Sequence, residues 1–198
     1  MEDHGFCVRK LHTATIFHLR CLYYKVAFIV VESNPRKTGE NTLVNALTRI
    51  RSTADYQFGK GIGAKLFPEN VEIEYSKATG RIHYVYLNGE RLATLRPTDG
   101  LLSLSIAAAQ TVTENRGSAK CFVTVQNDVS KFIADGGDAF AAHVVTVDDE
   151  VRAKDEVIVV DEDQRVLAVG RALLSAFEMH AFKTGVAVKV RHGCSKES

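Results

Sequence analysis

Seven histidines (His4, His12, His18, His83, His143, His180, His192) and four cysteines (Cys7, Cys21, Cys121, Cys194) are the side chains from which a metal centre or an activated nucleophile would be built. Their spacing supplies neither. There is no H-E-x-x-H helix, no C-x-x-C pair and no G-x-S-x-G elbow. No catalytic residue, metal ligand or cofactor is therefore assigned. The stretch Gly59-Lys60-Gly61-Ile62-Gly63 exposes backbone N–H groups and carries Lys60, with Lys65 nearby, which is chemistry suited to an anion. It lacks the G-x-x-x-x-G-K-[ST] pattern, and Leu66 stands where G-x-G-x-x-G needs its third glycine. A structural turn, a nucleic-acid backbone contact at Lys60 and a nucleotide loop all stay open there. Eight carboxylates between Asp148 and Asp163 lack the ligand spacing of a calcium loop and read as a solvated turn face.

The basic residues near the end of the chain are more informative. In GVAVKVRHG, Val186, Val188 and Val190 alternate with Ala187, Lys189 and Arg191, so a strand's period of 2 puts both cations on one solvent face. Cations in a row on one face can meet successive phosphates, and His192 directly follows them. Gly170 precedes Arg171 inside another apolar strand. A glycine there marks either a bend or the close approach of another backbone, and the adjacent Arg171 favours RNA as that backbone. His143, in a strand, and His180, in a short helix, read as partly buried, satisfied side chains rather than specific RNA contacts.

The composition (198 residues, 45% hydrophobic, 25% charged) is that of an ordinary folded protein. The net charge of +1 conceals a split. Residues 1–116 carry 15 Lys and Arg against 11 Asp and Glu, net +4, whereas residues 117–198 carry 10 against 13, net −3. The apolar runs at 26–31 and 101–113 are shorter than the ~18 residues a membrane span needs, so no membrane partner is expected. Arg9, Lys10, Arg20 and Lys25 interrupt the apolar start where an export signal would stay apolar. Scattered cysteines without that signal point to reduced thiols and a cytoplasmic location.

These residues need elements to position them. Leu43, Ala46, Leu47 and Ile50 fall on a helical stripe, which predicts a helix over 41–54. The glycine-rich loop follows, with room for a short helix. Alternating runs at 71–76, 81–87 and 90–95, the last two joined by Asn88-Gly89, predict a three-stranded meander. LLSLSIAAAQTVTEN reads as a helix, and the first unit ends near Gly117. Five short strands follow, at 119–125, 139–147, 156–161, 165–173 and 185–192. A short helix stopped by Gly136-Gly137 separates the first two, and another stopped by Gly185 separates the last two. The order β-α-β-β-β-α-β closes into a pseudobarrel whose edges the helices cover.

Several strings here resemble the PUA domain, a small RNA-binding pseudobarrel appended to many tRNA- and rRNA-modifying enzymes. They are the Gly136-Gly137 turn, Asp155-Glu156-Val157, LAVGRALLSAFEM at 167–179 and GVAVKVRHG at 185–193. They are most similar to the domain that ends archaeal tRNA-guanine transglycosylases and archaeosine synthases. ADYQFGKGIGAKLFP at 54–68 and GRIHYVYLNGERLATLRPTDGLLSLS at 80–105 resemble the module preceding it there. The expected fold is α+β. An extension at 1–35, with little fixed structure, is followed by a pre-PUA domain of helices and antiparallel meander at 36–116 and a PUA β-pseudobarrel at 117–193.

The resemblance implies an RNA partner, tRNA in particular, met by Gly136, Gly137, Gly170, Arg171, Lys189, Arg191, His192 and Lys60. Two departures stand out. Ala153-Lys154 replaces the family's Pro-Gly, so a positive φ would strain Lys154 and a different turn is expected. Ala142 replaces a basic residue, removing a phosphate contact. The transglycosylase's catalytic barrel and zinc site have no counterpart in these residues. The function read from the sequence is non-catalytic RNA binding linked to tRNA modification. The alternative is the RNA-docking subunit of a split transglycosylase or archaeosine synthase, with a separate catalytic subunit as partner.

Overall fold

The computed structural model of the chain describes residues 39–196, with side chains described from Asn45 to Ser195. The extension expected at residues 1–35 lies outside the described residues. Helix α1 (Gly39–Phe58) buries Ala46, Leu47, Ile50, Ala54 and Phe58 along one stripe. Because Phe58 continues that stripe, the helix runs one turn beyond the predicted end. It stops at Gly59, whose φ of +121° suits glycine and whose Cβ, were there one, would lie 2.0 Å from the Ser118 carbonyl oxygen. The short helix α2 (Ile62–Leu66) crosses α1 at backbone contact, since a Cβ on Gly63 would meet the Arg51 carbonyl oxygen at 2.2 Å.

Strands β1 (Glu72–Tyr75), β2 (Ile82–Leu87), β3 (Glu90–Leu95) and β4 (Leu102–Leu104) form one antiparallel sheet in sequence order. The fourth strand corrects the helix expected from residue 101. Leu102 and Leu104 alternate with Ser103 and are buried as a strand, and the helix waits for its cap. Ser105, in extended conformation, accepts the Ala108 N–H at 3.2 Å and starts α3 (Ile106–Glu114) there.

The barrel contains β5 (Phe122–Val125), α4 (Ser130–Ala134), β6 (Ala139–Phe140), β7 (Val144–Val147), β8 (Glu156–Val160), β9 (Val166–Ala172), α5 (Ala176–Ala181) and β10 (Val186–Gly193). Its strand order is β6-β10-β9-β8-β5-β7, antiparallel throughout except for β5 with β8. The single strand expected at 139–147 is broken by a 3-10 turn at Ala141–His143. Its first half pairs with β10 and its second with β5, so one segment bridges both margins of the sheet and nearly closes it. The turn before β8 is also corrected. Lys154 adopts φ +77°, the left-handed geometry that glycine would take, with its N–H donating to the Ala172 carbonyl at 2.7 Å.

Strand β8 is buried along its whole length because both of its faces are covered. Val157 and Val159 point into the barrel with Val123, Val125, Ala168 and Ala172. Ile158 and Val160 point outward, with Phe122 and Val169, into the apolar core shared with α1, β2–β4 and α3. Among the described residues no helix is long and apolar enough to cross a membrane.

Candidate nucleic-acid interface

The outer face of β9 and β10 holds the basic residues picked out by spacing, and its register brings Glu156, Arg171 and Lys189 into one row across β8, β9 and β10. Lys189 is exposed, and its Nζ lies 2.7 Å from Asp138 Oδ2, whose Oδ1 accepts the Val190 N–H at 3.0 Å. Arg171 is half-buried between these ionic groups, yet its side chain makes no hydrogen bond or ion pair among the described residues. Its guanidinium nitrogens are not among the buried, unpartnered atoms, so they stay accessible to an anion.

Arg191 departs from the expected solvent row. A register shift between Val190 and His192 turns it toward the first sheet. There its Nη1 donates to Glu156 Oε2 at 3.0 Å, its Nη2 binds Glu156 Oε1, and Nη2 also donates to the Leu104 carbonyl at 3.3 Å. Both cations of the expected pair are exposed and both are ion-paired, Lys189 to Asp138 and Arg191 to Glu156. His192 is half-buried opposite Val169 and is already engaged.

Gly170 lies against β10. A Cβ there would sit 2.4 Å from the Lys189 carbonyl oxygen and 3.0 Å from Val190 Cα. The backbone that needs its missing side chain is β10. Gly136, at φ +92°, and Gly137 end α4: their N–H groups donate to the Ile133 and Phe132 carbonyls, both at 2.9 Å. A Cβ on Gly137 would meet the Phe132 ring at 2.2 Å.

Lys60 is exposed in the turn between α1 and α2. The glycines around it serve packing, and the Gly63 N–H donates to the Asp55 carboxylate at 2.6 Å. With that carboxylate already at the start of α2, the phosphate-loop reading loses its anion site.

The acidic stretch works as internal scaffolding. Asp161, 1% exposed, accepts the backbone N–H and Nε of Arg165, at 2.8 and 2.7 Å. Asp148 accepts the Phe122 N–H at 2.7 Å, and Glu150 pairs with Lys120. Among the described residues no group of three or more His, Cys, Asp and Glu side chains is placed to hold a metal ion. His143 Nδ1 lies 3.0 Å from Gln126 Oε1, as a satisfied side chain should, whereas His180 is exposed.

Sequence reasoning missed the exposed aromatics. Phe132, Phe140, Phe177 and Phe182 are all exposed, Phe177 at 81%. The signal is present on α5: Ala176 and Met179 form its buried stripe, leaving Phe177 and His180 one step round the helix, toward solvent.

Two family models cover most of the described chain. Residues 48–117 match the patch-forming domain C2 of tRNA-guanine transglycosylase, and residues 122–194 match the PUA domain. The chain thus carries a region matching the PUA domain, preceded by one matching the C2 domain. Its sequence resembles that of archaeal tRNA-guanine(15) transglycosylases. It is 41% identical over 150 residues to the enzyme of Methanobrevibacter smithii, matching 76% of this chain and 23% of that one. It is 40% identical over 156 residues to that of Pyrococcus furiosus, matching 79% and 26%. The chain spans about a quarter of the length of these relatives. Among solved structures, a hypothetical protein of Pyrococcus horikoshii OT3 superposes with a TM-score of 0.60 at 27% identity, covering 75% of this chain and 90% of that one. A conserved PUA domain protein from Thermoplasma acidophilum gives 0.55 at 24% identity, covering 76% and 89%, and shares the fold.

Proposed function

We propose that this chain is a non-catalytic RNA-docking protein that recognises tRNA in connection with its modification. In this reading a pre-PUA domain at 36–116 and a PUA barrel at 117–193 act together, in the cytoplasm. Arg171 carries the reading: it is half-buried, without a protein partner among the described residues, and flanked by the exposed Lys189. A phosphate suits that site, because an accessible guanidinium with no protein partner among the described residues can donate paired N–H bonds to its oxygens. Lys60, the Gly136-Gly137 turn and His192 lie outside this minimal site and belong to a wider footprint.

Fluorescence anisotropy with purified chain and labelled tRNA tests it. Arg171→Ala should weaken binding roughly tenfold, about 1.4 kcal/mol, and lower the slope of log K against log salt by about 1, as loss of one phosphate contact does. Wild-type affinity with a wild-type slope would remove Arg171 from the RNA face. A second reading makes the chain the docking subunit of a split transglycosylase, favoured by the quarter-length match to the enzymes. Stoichiometric co-purification of a catalytic polypeptide, with base exchange only in the mixture, decides for it.

A further inference from the structure

Strand β4 is the last of its sheet, so one side of its backbone has no strand partner among the described residues. An edge like this needs its N–H and C=O groups satisfied in some other way. At Leu104 the barrel provides both. Glu156 Oε1 accepts the Leu104 N–H at 3.0 Å, and Arg191 Nη2 donates to the Leu104 carbonyl at 3.3 Å. The two side chains are bonded to each other and so present one acceptor and one donor side by side, as a neighbouring strand would. Glu156 is 2% exposed, and Arg96, at the end of β3, brings its Nη1 to 3.7 Å from Glu156 Oε2. The carboxylate is therefore held by groups from both sheets. Opposite it in register stands Arg171, the cation assigned above to phosphate.

We propose that Glu156 is a positioning residue. Together with Arg191 it completes the open edge of β4, ties that edge to the barrel, and so steadies the outer row in which Arg171 meets RNA, without touching RNA itself. This rests on the RNA-docking reading. It also commits two of the three nitrogens of the Arg191 guanidinium to Glu156 and Leu104.

Glu156→Gln separates this from plain electrostatics, because the two predict opposite signs. Removing a negative charge beside Arg171 should tighten binding to a polyanion if charge alone matters. If Glu156 positions, tRNA affinity falls about tenfold while the salt slope stays at its wild-type value, since no phosphate contact is lost. Two readouts follow the edge locally: the Leu104 amide, bonded to Glu156, should exchange with solvent about tenfold faster, and trypsin cleavage at Arg116 and Lys120, in the segment between the sheet and the barrel, should accelerate about tenfold. A Gln variant with wild-type cleavage and amide exchange overturns the lock. One whose affinity rises, or falls with a slope smaller by about 1, overturns the positioning role. Should wild-type chain fail to bind tRNA, the docking reading fails, while cleavage and amide exchange still decide whether Glu156 ties the β4 edge to the barrel. Arg191→Lys, which keeps the charge but loses the forked donor, tests the same lock if the Gln variant does not fold: cleavage should speed up about threefold, and an unchanged rate overturns the lock.

Discussion

Lys154 holds a left-handed backbone at φ +77° that costs an L-residue roughly 1 kcal/mol relative to glycine. Lys154→Gly should therefore raise thermal stability by about 2–4 °C, read by differential scanning fluorimetry, since the side chain is exposed and ion-pairs with nothing among the described residues. Gly170→Val should act in the opposite direction. Its side chain would have to displace the Lys189 carbonyl, and a loss of about 2 kcal/mol or more in urea unfolding is expected. A neutral Gly170→Val would restore the idea that this glycine is kept for RNA. At this scale residue spacing marks the right positions and misjudges their neighbours. Alternation identifies Lys189 as exposed and Gly170 as needing a reason. The register shift after Val190 and the closeness of β10 depend on barrel closure, which residue spacing does not encode.

Elements with their own local signals are legible. The meander around Asn88-Gly89 and the helix stopped at Gly136 follow from turn chemistry alone. The segment at 101–105 is not, because LLSLS suits a strand and a helix equally until β3 offers it a ladder. Helix α5 shows how much a short element leans on its first turn. Ser175 Oγ accepts the Glu178 N–H, and the Glu178 carboxylate accepts the Ser175 N–H at 2.8 Å, a reciprocal capping box. Ser175→Ala should cost about 1 kcal/mol. The Ser175 N–H and the Ser175 hydroxyl, both donating to that carboxylate, hold it below its ordinary value of 4.5. A carboxyl lowered in the folded state stabilises above its unfolded value, and loses that contribution as the pH falls through its folded value. Stability measured by denaturant from pH 6 down to 3 should therefore fall less steeply in Glu178→Gln than in the parent, and identical profiles would remove Glu178 from the acid response.

For the molecule as a whole, the separation into sheet unit and barrel is less complete than sequence boundaries suggest. Phe122, Ile158, Val160 and Val169 belong to barrel strands, yet they pack into the core built by α1, β2–β4 and α3. Residues from 39 onward form one compact unit. A barrel cut free at residue 118 would expose these four side chains to water, and a first unit cut free would lose the floor of its core. Neither part should melt independently, so heating should produce one transition whose calorimetric and van't Hoff enthalpies agree. Ile158, fully buried on the outer face of β8, tests this most directly. Ile158→Ala removes a side chain that both units contact and should cost about 2–5 kcal/mol. Under a shared core that loss lowers the single transition for far-UV and near-UV signals together. Two independent domains would instead melt in two steps, and in the variant each step would move by a different amount.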